Sequence, residues 1–192
     1  MSGGPPTTGT REEIEVKLPA TELGAVRERL SKTGATLRAA RHDESNDLFD
    51  DAGRKLSGSG RTVRLRRAAG RAILTYKGSA RFEAGVKIRE EREVEVSDAA
   101  EAEAILRGLG LERRFRYEKR REEWDCAGCI VALDETPIGD FVEIEGEPTA
   151  IRAVIATLAL DPAEAIPYSY AELYLRRRKD EPGLPPDMVW GR

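Results

Sequence analysis

Six residues near the N-terminus, Glu13-Ile14-Glu15-Val16-Lys17-Leu18, alternate charged and aliphatic side chains with a strict period of two. An extended strand sorts such a pattern, because successive side chains point to opposite faces: Glu13, Glu15 and Lys17 share one face and Ile14, Val16 and Leu18 the other. One strand of this kind is ordinary, with its charged face in water. The alternation recurs, however, in Thr62-Val63-Arg64-Leu65-Arg66, in Val86-Lys87-Ile88-Arg89 running on through Glu91, Glu93 and Glu95, in Phe115 to Trp124, and in Phe141-Val142-Glu143-Ile144-Glu145. A solvated face would not need Arg and Glu sorted so consistently.

At 192 residues and 40% hydrophobic content, the chain can bury one core of normal size. Its 32 basic and 35 acidic residues nearly cancel, which argues against nucleic acid as a partner. No apolar run approaches the ~18 residues that span a bilayer, and the N-terminus lacks the apolar core of a signal peptide. The expectation is a cytoplasmic protein with no membrane partner. Cys126 and Cys129 form C-A-G-C between two strand-like runs; a plain hairpin turn is the favoured reading, with a metal or redox role left open. His42 stands alone and receives no catalytic role.

Apart from Met1, residues 1–10 are Gly, Pro, Ser and Thr with nothing to bury, and 1–10 read as a disordered tail. A single domain is expected over 11–179, followed by a loose, Pro-rich tail over 180–192. Within the domain, a helix capped by Thr21 runs to about Lys32 with Leu23, Val26 and Leu30 buried. A strand near Thr36 to Asp43 leads to an acidic stretch up to Asp51 and a Gly/Ser-rich loop, Gly53 to Gly60. Arg64 and Arg66 lie on a strand whose hairpin partner is Ala72 to Lys77. In the long strand after Val86, Glu90 and Arg92 interrupt the apolar parity and mark a bulge or an exposed stretch. A helix capped by Ser97 or Asp98 buries Ala102, Ile105, Leu106 and Leu109. Strands follow at 115–124, 130–134 and 141–145, then helices near 149–158 and 171–178.

About eight strands joined by hairpin-length turns suit an antiparallel sheet with helices on one side, an α+β chain. If the sheet closes into a barrel with apolar faces outward under the helices, Glu13, Glu15, Lys17, Arg64, Arg66, Lys77, Arg89, Glu91, Lys119, Arg121, Asp134, Glu143 and Glu145 line its bore. An open sheet with a salt-bridged wet face is the alternative.

Seven motifs in order carry a resemblance: E-x-E-x-K at Glu13, R-x-R at Arg64 and Arg66, Thr75-Tyr76-Lys77-Gly78, Arg89-Glu90-Glu91, Lys119-Arg120-Arg121, Leu133-Asp134, and Gly139-Asp140-Phe141-Val142-Glu143-Ile144-Glu145. Together they resemble the CYTH family, which joins class IV adenylyl cyclases, thiamine triphosphatases and inorganic triphosphatases as triphosphate tunnel metalloenzymes. The resemblance spans about Glu12 to Leu175. It implies an eight-stranded antiparallel barrel, a tunnel, with helices packed outside, a substrate with a linear triphosphate, and a divalent metal, Mg²⁺ or Mn²⁺.

The residue chemistry agrees. Lys17, Arg64, Arg66, Lys77, Arg89, Lys119 and Arg121 offer the dense positive charge that a triphosphate needs, with Lys17, Arg64 and Lys119 assigned to catalysis. Carboxylates in the same tunnel would repel phosphate unless a cation lay between, so Glu13, Glu15, Glu143, Glu145 and Asp134 are the metal candidates. Opposed clusters of like charge would leave the empty bore strained or wet. Tripolyphosphate, thiamine triphosphate and ATP are the expected small-molecule partners, and a homodimer is left open.

Hydrolysis of a terminal phosphate and cyclisation of ATP both fit this equipment. The 86–91 and 139–145 segments look more like the cyclase-type bacterial branch, yet the chain carries Thr10-Arg11 ahead of E-x-E-x-K and lacks the His-Phe pair that cyclases of this class often have. No dedicated adenine pocket is visible in a sequence with 6% aromatic residues. A triphosphatase that cleaves tripolyphosphate at least as efficiently as ATP is therefore expected, with class IV adenylyl cyclase second and a non-enzymatic polyphosphate or nucleotide binder third.

Overall fold

The period-two segments become strands in the computed structural model, which describes residues 11–191. In chain order the elements are β1 (Arg11–Ala20), α1 (Leu23–Lys32), β2 (Thr36–Asp50), the short α2 (Lys55–Gly58), β3 (Thr62–Ala68), β4 (Arg71–Lys77), β5 (Arg81–Glu83) and β6 (Val86–Val96). They continue with α3 (Ala99–Gly108), β7 (Glu112–Cys126), β8 (Cys129–Thr136), β9 (Gly139–Glu145), α4 (Pro148–Thr157), a 3-10 turn (Pro162–Glu164) and α5 (Tyr170–Asp180). The expected disordered tail, 1–10, lies outside the described residues.

Eight antiparallel strands close into a barrel in the order β1-β9-β8-β7-β2-β3-β4-β6, because β1 pairs with β9 along one edge and with β6 along the other. The closing seam runs from Arg11↔Glu91 to Glu15↔Lys87, which removes the open-sheet alternative. The three-residue β5 adds to β6 beyond the point where β4 ends.

Apolar residues face outward under the helices, as the alternation requires. Leu23, Val26 and Leu30 of α1 and Ile151, Val154 and Ile155 of α4 bury against Val16, Leu18, Val131, Leu133, Val142 and Ile144. Phe49 and Leu65 are covered by Ala102 and Leu106 of α3. A third layer lies within the barrel. Phe115 and Tyr117 share the parity of Lys119 and Arg121, and Phe141 that of Glu143, so these rings point inward, where Tyr170 and Tyr174 of α5 and Met188 pack on them. This aromatic layer fills the α5 end of the bore.

Several local expectations are corrected. The strand expected to end near Asp43 runs on through the acidic stretch as one 15-residue strand, β2, which pairs along the length of β7. The irregular register lies in that pair, between Leu37 and His42 and at Leu48/Phe49; β6 pairs without a shift past Glu90 and Arg92, so of the bulge and the exposed stretch expected there the exposed stretch holds, with residues 92–95 exposed. The Gly/Ser loop contains the turn of α2. Glu22, not Thr21, precedes α1, without a side-chain cap, while Asp98 caps α3 through Ala100 N and Glu101 N. Ile105 and Leu109 are 63% and 72% exposed, because the face that α3 packs on the barrel carries Ala99, Ala102 and Leu106 instead. The stretch after Asp180 is docked: Met188 N donates to Arg116 O and Glu118 N to Met188 O, both at 2.9 Å, and Met188 is wholly buried.

Candidate active site

The inward faces of the strands enclose a cavity of about 520 Å³. Lys17 comes from β1, Arg64 and Arg66 from β3, Lys77 from β4, Arg89 from β6, and Lys119 and Arg121 from β7, so every basic candidate reaches the same space. Glu13, Glu15, Glu91, Glu143 and Glu145 line it too. Asp134 shares their parity and faces inward beside Arg121, but it does not line the cavity: it is fully buried, with its oxygens engaged by Lys119 (3.0 Å), Arg121 (2.7 and 2.6 Å) and the Tyr170 hydroxyl (2.7 Å).

The charges interleave rather than forming the expected opposed clusters of like charge. Lys77 donates to both Glu13 oxygens at 2.7 and 2.9 Å and to Glu91 at 3.1 Å, and Arg89 reaches Glu13 at 2.9 Å. Lys87 holds Glu15 at 3.1 Å. Lys17 lies 3.2 Å from Glu143, which also pairs with Arg121, and its ammonium stands 3.6 Å from the centre of the Tyr170 ring. Arg64 and Arg66 approach Glu93 at 3.2 and 3.6 Å. Even so, the Nε atoms of both arginines are buried without a hydrogen-bond acceptor among the described residues. A buried unsatisfied donor costs about 1–3 kcal/mol, so each is poised to accept an anionic ligand.

Burial pushes the Glu143 and Glu44 carboxyls up, but neighbouring cations, Lys17 and Arg121 for Glu143 and Lys119 for Glu44, together with a hydrogen bond from His42 to Glu44, hold both well below the usual range. Glu91 goes the other way: burial and the adjacent Glu13 charge outweigh Lys77 and push it up to about 7. Folded Glu91 thus binds a proton between its ordinary 4.5 and about 7 that the unfolded chain does not, so stability rises as pH falls through 7. His42, raised by its hydrogen bond to Glu44, acts in the same sense. Glu44 and Glu143 stabilise above their ordinary 4.5 and lose that contribution as pH falls below it. The Tm is expected to peak near pH ~5, roughly 5 °C above its value at pH ~8, and Glu91→Gln to flatten most of that rise. Equal wild-type melting temperatures across that range would contradict the pairing.

Sequence reasoning missed Lys87, Glu93, Tyr117 and Tyr170, which line the cavity, and Glu44, which backs it. Lys87 and Glu93 share the parity of Arg89, so the alternation itself carried them. Tyr117 shares that of Lys119 but is aromatic, and packing was the competing duty. Tyr170 begins a helix, and no periodicity shows that α5 turns its first residue into the bore.

A family model for the CYTH domain matches residues 11–181. Among solved structures, a candidate adenylate cyclase from Vibrio parahaemolyticus is similar at TM-score 0.75 and 20% identity, over 87% of this chain and 99% of that one. A Pyrococcus horikoshii protein follows at TM-score 0.72 and 26% identity, over 86% and 99% of the two chains. A candidate adenylyl cyclase from Hippeastrum, described as having a dominant triphosphatase activity, is similar at TM-score 0.65 and 19% identity, over 86% and 96%. A search of curated proteins finds no match.

Proposed function

Because the chain belongs to the CYTH family, we propose that it is a metal-dependent triphosphatase that hydrolyses inorganic tripolyphosphate or an organic triphosphate such as thiamine triphosphate or ATP. The observation that carries this reading is the pair of buried, unpartnered guanidinium donors, Arg64 Nε and Arg66 Nε, in a bore lined by further cations. A chain of phosphates satisfies such donors, and the planar guanidinium suits its oxygens.

In this reading Arg64, Arg66, Lys77, Arg89 and Arg121 grip the chain of phosphates. Lys17 and Lys119, whose ammonium groups stand 3.6 and 5.3 Å from the Tyr170 ring centre, join Arg64 in neutralising charge that develops on the transferred group. Members of the family depend on a metal, and the donor set here fits one. Glu13, Glu15, Glu143 and Glu145 present hard oxygen ligands to one cavity. Among the described residues no three acidic, His or Cys side chains converge into a ready-made cage. That suits Mg²⁺ or Mn²⁺, since Mg²⁺ usually takes one or two carboxylates and completes its shell with water and substrate phosphates. When bound, the ion supplies phosphate charge neutralisation and a polarised water. Asp134, which is fully buried and does not line the cavity, serves in this reading as a positioning residue for Lys119 and Arg121.

Phosphate release from tripolyphosphate with Mg²⁺ or Mn²⁺ tests the assignment. Glu15→Gln should lower turnover by about 100-fold or more and raise the metal concentration required, with little change in Tm, since Glu15 faces the cavity rather than the apolar core. Near wild-type turnover with unchanged Mg²⁺ dependence would remove Glu15 from the metal site.

A further inference from the structure

The barrel wall parts beside the bore. The β1–β6 seam ends at Glu15↔Lys87, and two residues later the edge of β1 is taken by a different segment, with Ile166 N donating to Lys17 O at 2.8 Å. Between that segment and the β5–β6 hairpin opens a second pocket of about 170 Å³, walled by Val16, Phe82, Ile166 and Pro167, which shares Glu15, Lys17 and Lys87 with the bore.

Phe82 has no packing reason to be where it is. It is 54% exposed, on a strand of three residues. Its pairing fixes its direction: Phe82 lies opposite Lys87, and directly paired residues of an antiparallel ladder project to the same face. Lys87 lines the bore, so the ring stands on the bore side of the sheet, at its rim. The hairpin presenting it is tight, with both turn residues, Ala84 and Gly85, at positive φ (48° and 82°), as a two-residue turn requires. An aromatic face held beside cations, over an apolar pocket continuous with a phosphate-binding bore, matches a ligand with a flat ring at one end and phosphates at the other.

The geometry points to this side pocket as the seat for the heteroaromatic ring of an organic triphosphate, stacked on Phe82 while its phosphates occupy the bore. The inference rests on the triphosphate reading of the bore and makes organic triphosphates the better-held substrates, with tripolyphosphate gripped by the bore alone. It also revises the expectation that tripolyphosphate is cleaved at least as efficiently as ATP, which supposed that a base has nowhere to sit. The sequence hid the pocket because its walls come from residues about 150 positions apart on the chain, Val16 and Ile166.

Equilibrium binding of a non-hydrolysable ATP analogue and of tripolyphosphate, to wild type, Phe82→Ala and Phe82→Trp, tests it without requiring turnover. Phe82→Ala should weaken the analogue about five-fold or more while moving tripolyphosphate, which has no ring, less than about two-fold; Phe82→Trp should retain affinity for the analogue. An unchanged analogue affinity in Phe82→Ala, or an equal loss for both ligands, would overturn the side pocket and leave the bore assignment standing. Failure of wild type to bind tripolyphosphate would overturn the bore assignment, and the pocket assignment with it.

Discussion

Arg64→Ala should lower kcat/KM for triphosphate hydrolysis by about 10²- to 10³-fold. Arg64 lines the bore, half-buried, donates to Thr75 Oγ1 at 3.3 Å and to Glu93 at 3.2 Å, and keeps a buried Nε without an acceptor among the described residues. The substitution removes one cation from the grip and leaves Glu93 facing the phosphates with less compensation. Arg64→Lys retains a charge but not the fork, so it should recover only part of the loss. Steady-state kinetics alongside thermal melts separate this from misfolding. Full activity in a folded Arg64→Ala protein would show that the phosphates do not lie against β3.

The second large effect is on stability. Asp134 holds Lys119, Arg121 and Tyr170 from a position with no solvent exposure. Asp134→Ala leaves a buried ammonium leaning on Glu44 and a guanidinium leaning on Glu143 and Glu123, and strands the Tyr170 hydroxyl. Breaking such a pair from one side costs about 3–5 kcal/mol, equivalent to a Tm lowered by roughly 10 °C in a chain of this size. Asp134→Asn, which still offers an acceptor to Tyr170, should lose less. A melting curve for Asp134→Ala within about 2 °C of wild type would mean that this buried network beside the cavity contributes little to folding.

What the sequence revealed depended on whether charge and apolarity alternated. In β1, β3, β6 and β9 they do, and inward and outward residues could be assigned before any coordinates existed. β2 hid because both of its faces are polar over His42-Asp43-Glu44-Ser45-Asn46-Asp47. Glu44 and Asn46 turn inward, and Asp47, on the outside, is buried under Arg67 and Arg116 at 2.5 and 2.7 Å. Hydrophobic periodicity has nothing to register in such a strand. The one available signal was the length of β7, whose run of alternating residues needs a partner as long as itself. Contacts between distant segments were the other blind spot. Neither the Tyr170 ring under Lys17 nor the docking of Met188 on β7 follows from local pattern, since each depends on where the chain returns after β9.

The most direct measurement is a product-resolved assay in which wild-type protein is incubated with tripolyphosphate and with ATP, each with Mg²⁺ or Mn²⁺, and phosphate, pyrophosphate and cyclic AMP are separated. Hydrolysis predicts phosphate release from both substrates, with cyclic AMP minor or absent. Cyclic AMP and pyrophosphate as the main products from ATP, with tripolyphosphate left uncut, would contradict the triphosphatase assignment and make the protein an adenylyl cyclase.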